Sequence, residues 1–332
     1  VTRHFLTVSD LEPDELATVL DLAEAPLVPV TPATNGAHSA TGLHGVLAGR
    51  GVALVFEHPS ARTRNACELA VVQLGGHPVA IRGDEVGIDT RESAEDVART
   101  LGCYHALIAA RVERHATLDR MASALEAEGV AVPVVNLLSD REHPTQAIAD
   151  VLTIRQHFGD LTGRTLAYVG DGNNVCRSLV GAAVAMGLAV RVASPPGYGL
   201  TDSFSPLALR SGANVEIGSS PEDAVAGADV VYTDVWVSMG QVEEVWDRRR
   251  AFSGYTVDET LMAKAAPHAI VLHCLPAHRG EEISAGVLSG HRSLVWQQAA
   301  NRMHATRGLF AFLLEKTLAG GRHESEGLEV HS

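Results

Sequence analysis

Cysteine is sparse and scattered in this sequence. The chain has four cysteines, Cys67, Cys103, Cys176 and Cys274, and no two form a Cys-x-x-Cys pair. That excludes a disulfide framework or a zinc-ribbon spacing and reads as reduced thiols in a cytosolic enzyme. There are 16 histidines, yet none stands in a His-Glu-x-x-His spacing, so no metal is expected. No apolar run is long enough to span a bilayer, and Val1–Leu6 does not read as a signal peptide. Positive charge is in the minority: 26 Lys and Arg against 40 Asp and Glu leave a formal charge of −14. Nucleic-acid and anionic-membrane partners are therefore not expected. An anionic small substrate stays open, because a local arginine cluster can dominate the field in a cleft. With 332 residues, 46% of them hydrophobic, the chain can build two domains of ordinary size.

The most informative stretch is Phe56-Glu57-His58-Pro59-Ser60-Ala61-Arg62-Thr63-Arg64. It follows an apolar run, Gly51 to Phe56, that reads as a strand. It opens a helix from about Arg62 to Leu74 that stops at Gly75-Gly76. A helix N-terminus offers unpaired N–H groups and partial positive charge. Two arginines and two hydroxyls added there suit a phosphate dianion; a Ser N-cap followed by solvated arginines would read the same way.

The rest of the chain alternates strand and helix. Ser9-Asp10-Leu11-Glu12 looks like a capping box for an amphipathic helix through about Ala25. Pro29 to Gly45 reads as a loop, and Gly83 to Arg91 as a polar mobile loop. Strands are expected at Pro78–Arg82, Ala106–Ala110 and Val132–Leu137, with a helix over Glu92–Leu101. A helix from Pro144 to about Phe158 leads into a second series of strands. Those are Thr165–Gly170, Ala189–Ala193, Asn214–Ile217, Asp229–Thr233 and Ala269–His273. This alternation predicts an α/β fold of two doubly wound domains, each a mainly parallel sheet flanked by helices. The expected division is 1–145 with a returning C-terminal helix at 302–318, then 146–301. The Gly-rich, charged residues 319–332 read as a disordered tail. Ligands of open α/β sheets bind beyond the carboxyl ends of strands, which singles out Arg111 and Asn136.

Three further segments are dense in polar residues: His143-Pro144-Thr145-Gln146, Asp234-Val235-Trp236-Val237-Ser238-Met239-Gly240, and His273-Cys274-Leu275-Pro276-Ala277-His278-Arg279. With the first motif and in this order, they resemble the aspartate/ornithine carbamoyltransferase family over about Arg3 to Leu314. The last two resemble its ornithine branch. The resemblance implies attack of an uncharged amine on the carbonyl of carbamoyl phosphate, releasing phosphate and a ureido product. Ser60, Ala61 (through its backbone), Arg62 and Thr63 match the family's phosphate cradle. Arg111 matches the arginine bridging phosphate and carbamoyl oxygen. His143 matches the donor to that oxygen, and Gln146 the contact to the carbamoyl nitrogen. Cys274 and Leu275 match groups around the carbamoyl amide and the attacking amine, and Arg302 an arginine reaching the carbamoyl group. On the acceptor side, Asp234 matches the ligand of the ammonium group, Ser238 and Met239 the loop contacts, and Asn136 and Asn174 the holders of the α-carboxylate and α-amino groups.

This set suits ornithine, fits aspartate poorly for want of added cations, and would leave polar groups unpaired around putrescine. The resemblance also implies no cofactor and a cytoplasmic homotrimer with shared sites in the cleft between the domains.

Three departures stand out. Ala61 takes the place of a usual Thr, His58 that of a common Lys, and Ala300 that of an acid. The loop Gly83–Arg91 lacks the branch's usual Gln and carries Asp84, Glu85 and Asp89, which would suit a more cationic acceptor. A carbamoyltransferase for another diamino acid and a weakened regulatory paralogue therefore stay open. A dinucleotide-dependent oxidoreductase is disfavoured, because Val175 stands at the third glycine position after Gly170-Asp171-Gly172.

Overall fold

The computed structural model describes residues 2–26, 43, 45–200, 214–237 and 244–326. Most of the expected Pro29–Gly45 loop, Ser238, Met239 and the end of the tail lie outside the described residues. The chain divides into two units, Val1–Thr145 with Arg302–Ser332, and Gln146–Asn301.

The first unit carries α1 (Pro13–Glu24), β1 (Gly51–Phe56), α2 (Ala61–Gln73), β2 (His77–Arg82), α3 (Gly83–Val86), α4 (Ala94–Gly102), β3 (His105–Arg111), α5 (His115–Ala127) and β4 (Val134–Leu138). Its strands form one parallel sheet in the order β2-β1-β3-β4. β1 is buried along nearly its whole length, whereas the edge strand β2 is only partly covered. That difference follows from β1 being packed on both faces in mid-sheet. The chain leaves β1 for β2 on one side and later places β3 on the other. The carboxyl end of β1 is thus a topological switch point, where open α/β sheets bind ligands.

The second unit follows α6 (Pro144–Phe158) with β5 (Thr165–Val169), α7 (Asn174–Ala185), β6 (Ala189–Ala193), β7 (Val215–Gly218), α8 (Pro221–Val225), β8 (Val230–Thr233), α9 (Val245–Ala251), α10 (Glu259–Met262), β9 (Ile270–His273) and α11 (Ala285–Leu288). Its parallel sheet runs β7-β6-β5-β8-β9, with the switch between β5 and β8. The period-2 pattern of its strands sorts two cores. Ala167, Val169, Val231 and Val271 face one, while Leu166, Tyr168, Val230, Tyr232 and Leu272 face the other. Both sheets are all-parallel and helix-flanked, as the alternation predicts.

Several local expectations are corrected. The capping box of α1 is Glu12 with Glu15, and the Ser9 region instead forms a 3-10 turn, Val8–Asp10, capped by Thr7 and Asp10. The stretch read as a mobile loop begins with α3, which ends at Gly87 in the left-handed conformation. Its acids are already committed. Asp84 pairs with Arg82, Glu85 accepts from the Arg82 N–H at 3.0 Å, and Asp89 pairs with Arg120 at 2.7 Å. The loop therefore presents less net negative charge than its composition suggests. The amphipathic α5, buried through Leu118, Met121, Ala122 and Leu125, has no counterpart in the sequence reading. The C-terminal helix α12 runs Val295–Glu326, starting earlier than expected and continuing into residues read as a disordered tail. It crosses α1 at Gly308, where a Cβ would lie 2.5 Å from the Val19 carbonyl oxygen. Beside it, buried Arg307 donates to the Ala23 and Ala25 carbonyls at 2.6 and 2.9 Å, closing the C-terminus of α1.

Candidate active site

In the first unit the polar motif sits where the sequence reading placed it. Ser60 is the N-cap of α2, accepting from the Thr63 N–H and donating to the Thr63 hydroxyl at 3.0 Å. Thr63 is buried, and its Oγ1 accepts from Arg302 Nη2 at 2.7 Å. Arg302, early in the sequence of the closing segment, is thereby brought onto the first turn of α2. Ala61 and Arg62 are exposed. Arg64 is tied to Glu68 at 2.7 Å, which is a bracing geometry. A cavity of about 560 Å³ opens beside this turn, lined by Ser60, Ala61, Arg64, Glu57 and Arg82 among others.

Arg111 ends β3 and is only 5% exposed. No carboxylate pairs with it among the described residues, and its Nε has no hydrogen-bond partner there. Burial, then Arg302 and Arg62, bring its pKa down to about 10. A buried guanidinium held near two others is costly, and an anion bound among them would offset that cost. His143 is buried beside them, and burial, Arg302 and Arg111 push its pKa well below the ordinary imidazole value. It is therefore neutral at physiological pH and can donate to a carbonyl without a net charge of its own. Cys67, beneath the same turn, is pushed up to about 12 by burial and stays a thiol.

Asn136 is fully buried and spends its amide hydrogens on the Leu6 carbonyl, at 2.8 Å, and on Ser139 Oγ, at 3.2 Å. In this arrangement it braces the N-terminal segment against β4 and offers no hydrogen to a carboxylate. Of the expected role, its Oδ1 stays suited to accept from an ammonium group.

In the second unit two strand ends meet. Gly170 follows β5 with a positive φ, and Gly172 lies so close to the 199–200 backbone that a Cβ would sit 2.4 Å from it. Asn173 caps α7 and also donates to Asp234 Oδ2 at 2.9 Å. Cys274 Sγ donates to the other oxygen, Oδ1, at 3.0 Å. Asp234 is thus a buried acceptor held from both sides. Its partner is Asn173; Asn174, expected at the α-carboxylate and α-amino groups of the acceptor, is the first residue of α7. Asp171 is paired with Arg248 at 2.9 Å, yet burial pushes its pKa up to about 6, with Asp234 and Glu244 adding to the push.

Beyond β9, Leu275 has a φ of 61°, uncommon for a side chain of its size. Its N–H donates to His273 Nδ1 at 2.9 Å, and His273 Nε2 meets buried Glu282 at 3.1 Å. The Leu275–Pro276 peptide is cis. Leu275 is shaped for presenting backbone rather than side chain. At the start of α6, Gln146 is 1% exposed and donates to Asp150.

Two groups have metal-like spacing among the described residues: Asp234, His273 and Cys274, and His278, Glu281 and Glu282. Both nitrogens of His273 are engaged as above. Glu281 is paired with Arg249 at 2.5 Å, and Glu282 accepts from the His278 N–H at 2.5 Å. The donor atoms fit their protein partners better than a cation.

The carbamoyl-phosphate-binding domain model of the aspartate/ornithine carbamoyltransferases matches residues 3–156, and the Asp/Orn-binding domain model matches residues 162–313. The chain belongs to the aspartate/ornithine carbamoyltransferase family. Within it, the ornithine carbamoyltransferase of Acidothermus cellulolyticus is 49% identical over 326 residues, covering 96% of this chain and 98% of that one. The solved ornithine carbamoyltransferase of Thermus thermophilus is 40% identical with a TM-score of 0.80, covering 95% of this chain and 99% of that one. That of Pyrococcus furiosus is 37% identical with a TM-score of 0.84, covering 94% and 97%. The oxidoreductase reading falls away with these likenesses.

Proposed function

We propose that this chain transfers the carbamoyl group of carbamoyl phosphate to the side-chain amine of L-ornithine, giving L-citrulline and phosphate. The observation that carries the donor half is the cluster of Arg62, Arg111 and Arg302 at the first turn of α2, with Arg111 buried and unmatched by a carboxylate among the described residues. Ser60, Thr63 and the backbone N–H groups of Ala61 and its neighbours hold the phosphate. Arg111, Arg302 and neutral His143 polarise the carbamoyl oxygen, where negative charge grows in the transition state. Gln146 and the Leu275 backbone take the carbamoyl NH₂.

The acceptor half rests on the named relatives and on Asp234, held by Asn173 and Cys274. Asp234 binds the ammonium end of the amino acid, and Cys274 lies beside the attacking nitrogen. Ser238, Met239 and Asn174 complete that side. The neutral amine attacks the carbonyl carbon, a C–N bond forms, the C–O bond to phosphate breaks, and the amine loses one proton as phosphate departs. Arg62 balances the charge growing on the leaving group. No metal or organic cofactor is required by this scheme. The enzyme works as a cytoplasmic homotrimer, a reading supported by resemblance alone.

The test is ureido-product formation from carbamoyl phosphate with ornithine, lysine, 2,4-diaminobutyrate, putrescine and aspartate. Fast turnover with ornithine alone is expected. Preference for another amine would overturn the ornithine assignment. Carbamoyl phosphate binding without turnover on any acceptor would leave a binding paralogue.

A further inference from the structure

Gln146 and Asp150 lie one helical turn apart on α6, and so share a face. Asp150 is fully buried, and Gln146 and Gln298 are each 1% exposed. Asp150 Oδ1 accepts from Gln146 Nε2 at 2.7 Å and from Gln298 Nε2 at 2.7 Å. Gln298 also reaches the Tyr232 hydroxyl at 3.3 Å, and its own Oε1 accepts from the His273 backbone N–H at 2.9 Å. One carboxylate thus joins the glutamine of one motif to the strand end that carries Cys274 and Leu275.

The two ends of a glutamine amide have nearly the same shape but opposite hydrogen-bonding character. What fixes the end presented is the neighbour. Gln298 Oε1 is held by the His273 N–H, so Gln298 turns its NH₂ to Asp150 Oδ1, and that oxygen meets Gln146 at 2.7 Å as an acceptor. Flipping the Gln146 amide would set two acceptors against each other in a buried site and forfeit a charge-assisted bond. The Gln146 NH₂ is therefore directed to Asp150, and Oε1 becomes the end suited to a donor. A carbamoyl group brings such a donor, its NH₂. An acyl phosphate such as acetyl phosphate brings a methyl group, which cannot satisfy a buried acceptor. Sites built to hydrogen-bond a polar group reject analogues lacking it far more strongly than apolar pockets reject a change of size.

We propose that Asp150 is a positioning residue that selects a carbamoyl over an acyl phosphate by fixing which end of the Gln146 amide faces the donor. The proposal rests on Gln146 contacting the carbamoyl nitrogen. Through Gln298 the same carboxylate also holds the His273 backbone, so both contacts to the carbamoyl NH₂ share one anchor.

The experiment measures affinity for carbamoyl phosphate and, by competition, for acetyl phosphate, in the intact enzyme and five variants. Asp150→Leu should reduce the preference for carbamoyl phosphate about tenfold or more, by weakening carbamoyl phosphate while leaving acetyl phosphate nearly unchanged; tenfold corresponds to about 1.4 kcal/mol. Asp150→Asn should keep the preference within about threefold, because its Oδ1 can still accept both amides. Gln146→Ala should lose the preference outright. If Gln146→Ala loses it and Asp150→Leu does not, the role of Asp150 is overturned and the carbamoyltransferase reading stands. If Gln146→Ala keeps it, the contact itself is wrong and the proposal falls with it. Equal weakening of both ligands in Asp150→Leu would mark a merely structural residue and also overturn the proposal. Should Asp150→Leu not fold, an exchange carries the test. Gln146→Glu sets two carboxylates together and should bind carbamoyl phosphate poorly. Adding Asp150→Asn supplies an NH₂ to the new carboxylate and should recover at least tenfold, and no recovery overturns the proposal.

Discussion

Restoring the hydroxyl that Ala61 lacks should tighten binding of carbamoyl phosphate. Ala61 is the first residue of α2, directly after the Ser60 cap, and its side chain is exposed. The neighbouring hydroxyls of Ser60 and Thr63 are 3.0 Å apart and tied through Thr63 to Arg302. A third hydroxyl would therefore join a turn that is already ordered. A hydrogen bond to a charged group is worth about 1.5–3 kcal/mol, which is roughly 10- to 150-fold in affinity. Thr in place of Ala costs up to about 0.7 kcal/mol of helix propensity. That cost falls equally on free and bound enzyme and so lowers stability without lowering affinity. Val has the shape of Thr without its oxygen and shares most of that cost. Calorimetric titration of carbamoyl phosphate and of inorganic phosphate into wild type, Ala61→Thr and Ala61→Val then isolates the hydroxyl. The Thr-minus-Val difference should fall in the stated range for both ligands. Equal affinities of Thr and Val would show that the oxygen cannot reach the phosphate, and would refute the placement of the anion at this turn.

Other outcomes follow from single residues. Burial, Arg302 and Arg111 depress the His143 pKa, so its NMR resonances should show no titration at the ordinary imidazole value, and a midpoint near 6.5 would contradict the geometry. A depressed imidazole pKa means the unfolded chain binds the extra proton, so this contribution to stability is complete above about 6.5 and is lost as pH falls below it. Denaturant midpoints measured between pH 7 and 5 should decline in wild type and decline less in His143→Gln. Arg111→Met removes a buried cation with no carboxylate partner, so the free enzyme should be as stable or more stable, while phosphate loses its stabilising shift in thermal melts. A variant that is less stable when free and still gains from phosphate would contradict the anion-site reading. Gly308→Ala places a Cβ 2.5 Å from the Val19 carbonyl and 2.7 Å from the Ala23 nitrogen, so α1 and α12 must part. Overpacking of this kind costs about 1–3 kcal/mol, and an unchanged melting temperature would show that the crossing is loose.

The strands and the start of α2 were legible because each carries its own local pattern. β1 and β5 are continuous apolar runs ending in polar residues, and Ser60 announces the cap of α2. The errors fall where a local pattern had more than one physical solution. Ser9 and Glu12 are both plausible starts, and the chain used Glu12 because Asp10 is occupied by the Leu6 and Thr7 N–H groups. The polar loop after β2 became α3 because Arg82 and Glu85 close on each other. Asp150 and Gln298 were missed because they are far apart in sequence and meet only through tertiary packing.

The overall charge and the charge of the site have opposite signs, and both follow from the sequence. A chain of formal charge −14 would repel a phosphate dianion at long range. Screening confines that repulsion to about 8–10 Å at physiological salt. Inside that distance the local groups decide. Several surface arginines are spent on carboxylates, as Arg3 is on Glu15, Arg99 on Glu128 and Arg120 on Glu95. Arg111 is different: it is buried, unmatched by an acid among the described residues, and repelled by Arg302 and Arg62. Its desolvation is uncompensated by any described carboxylate, so a dianion bound there, as proposed, would relieve a cost that folding imposed. The same electrostatics keep His143 neutral, so in the proposed reaction it would serve as a hydrogen-bond donor to the growing oxyanion rather than as a fourth cation holding the ground state. In the proposed reaction the arginines would hold the charge the substrate brings, and the imidazole would serve the charge that appears only during reaction.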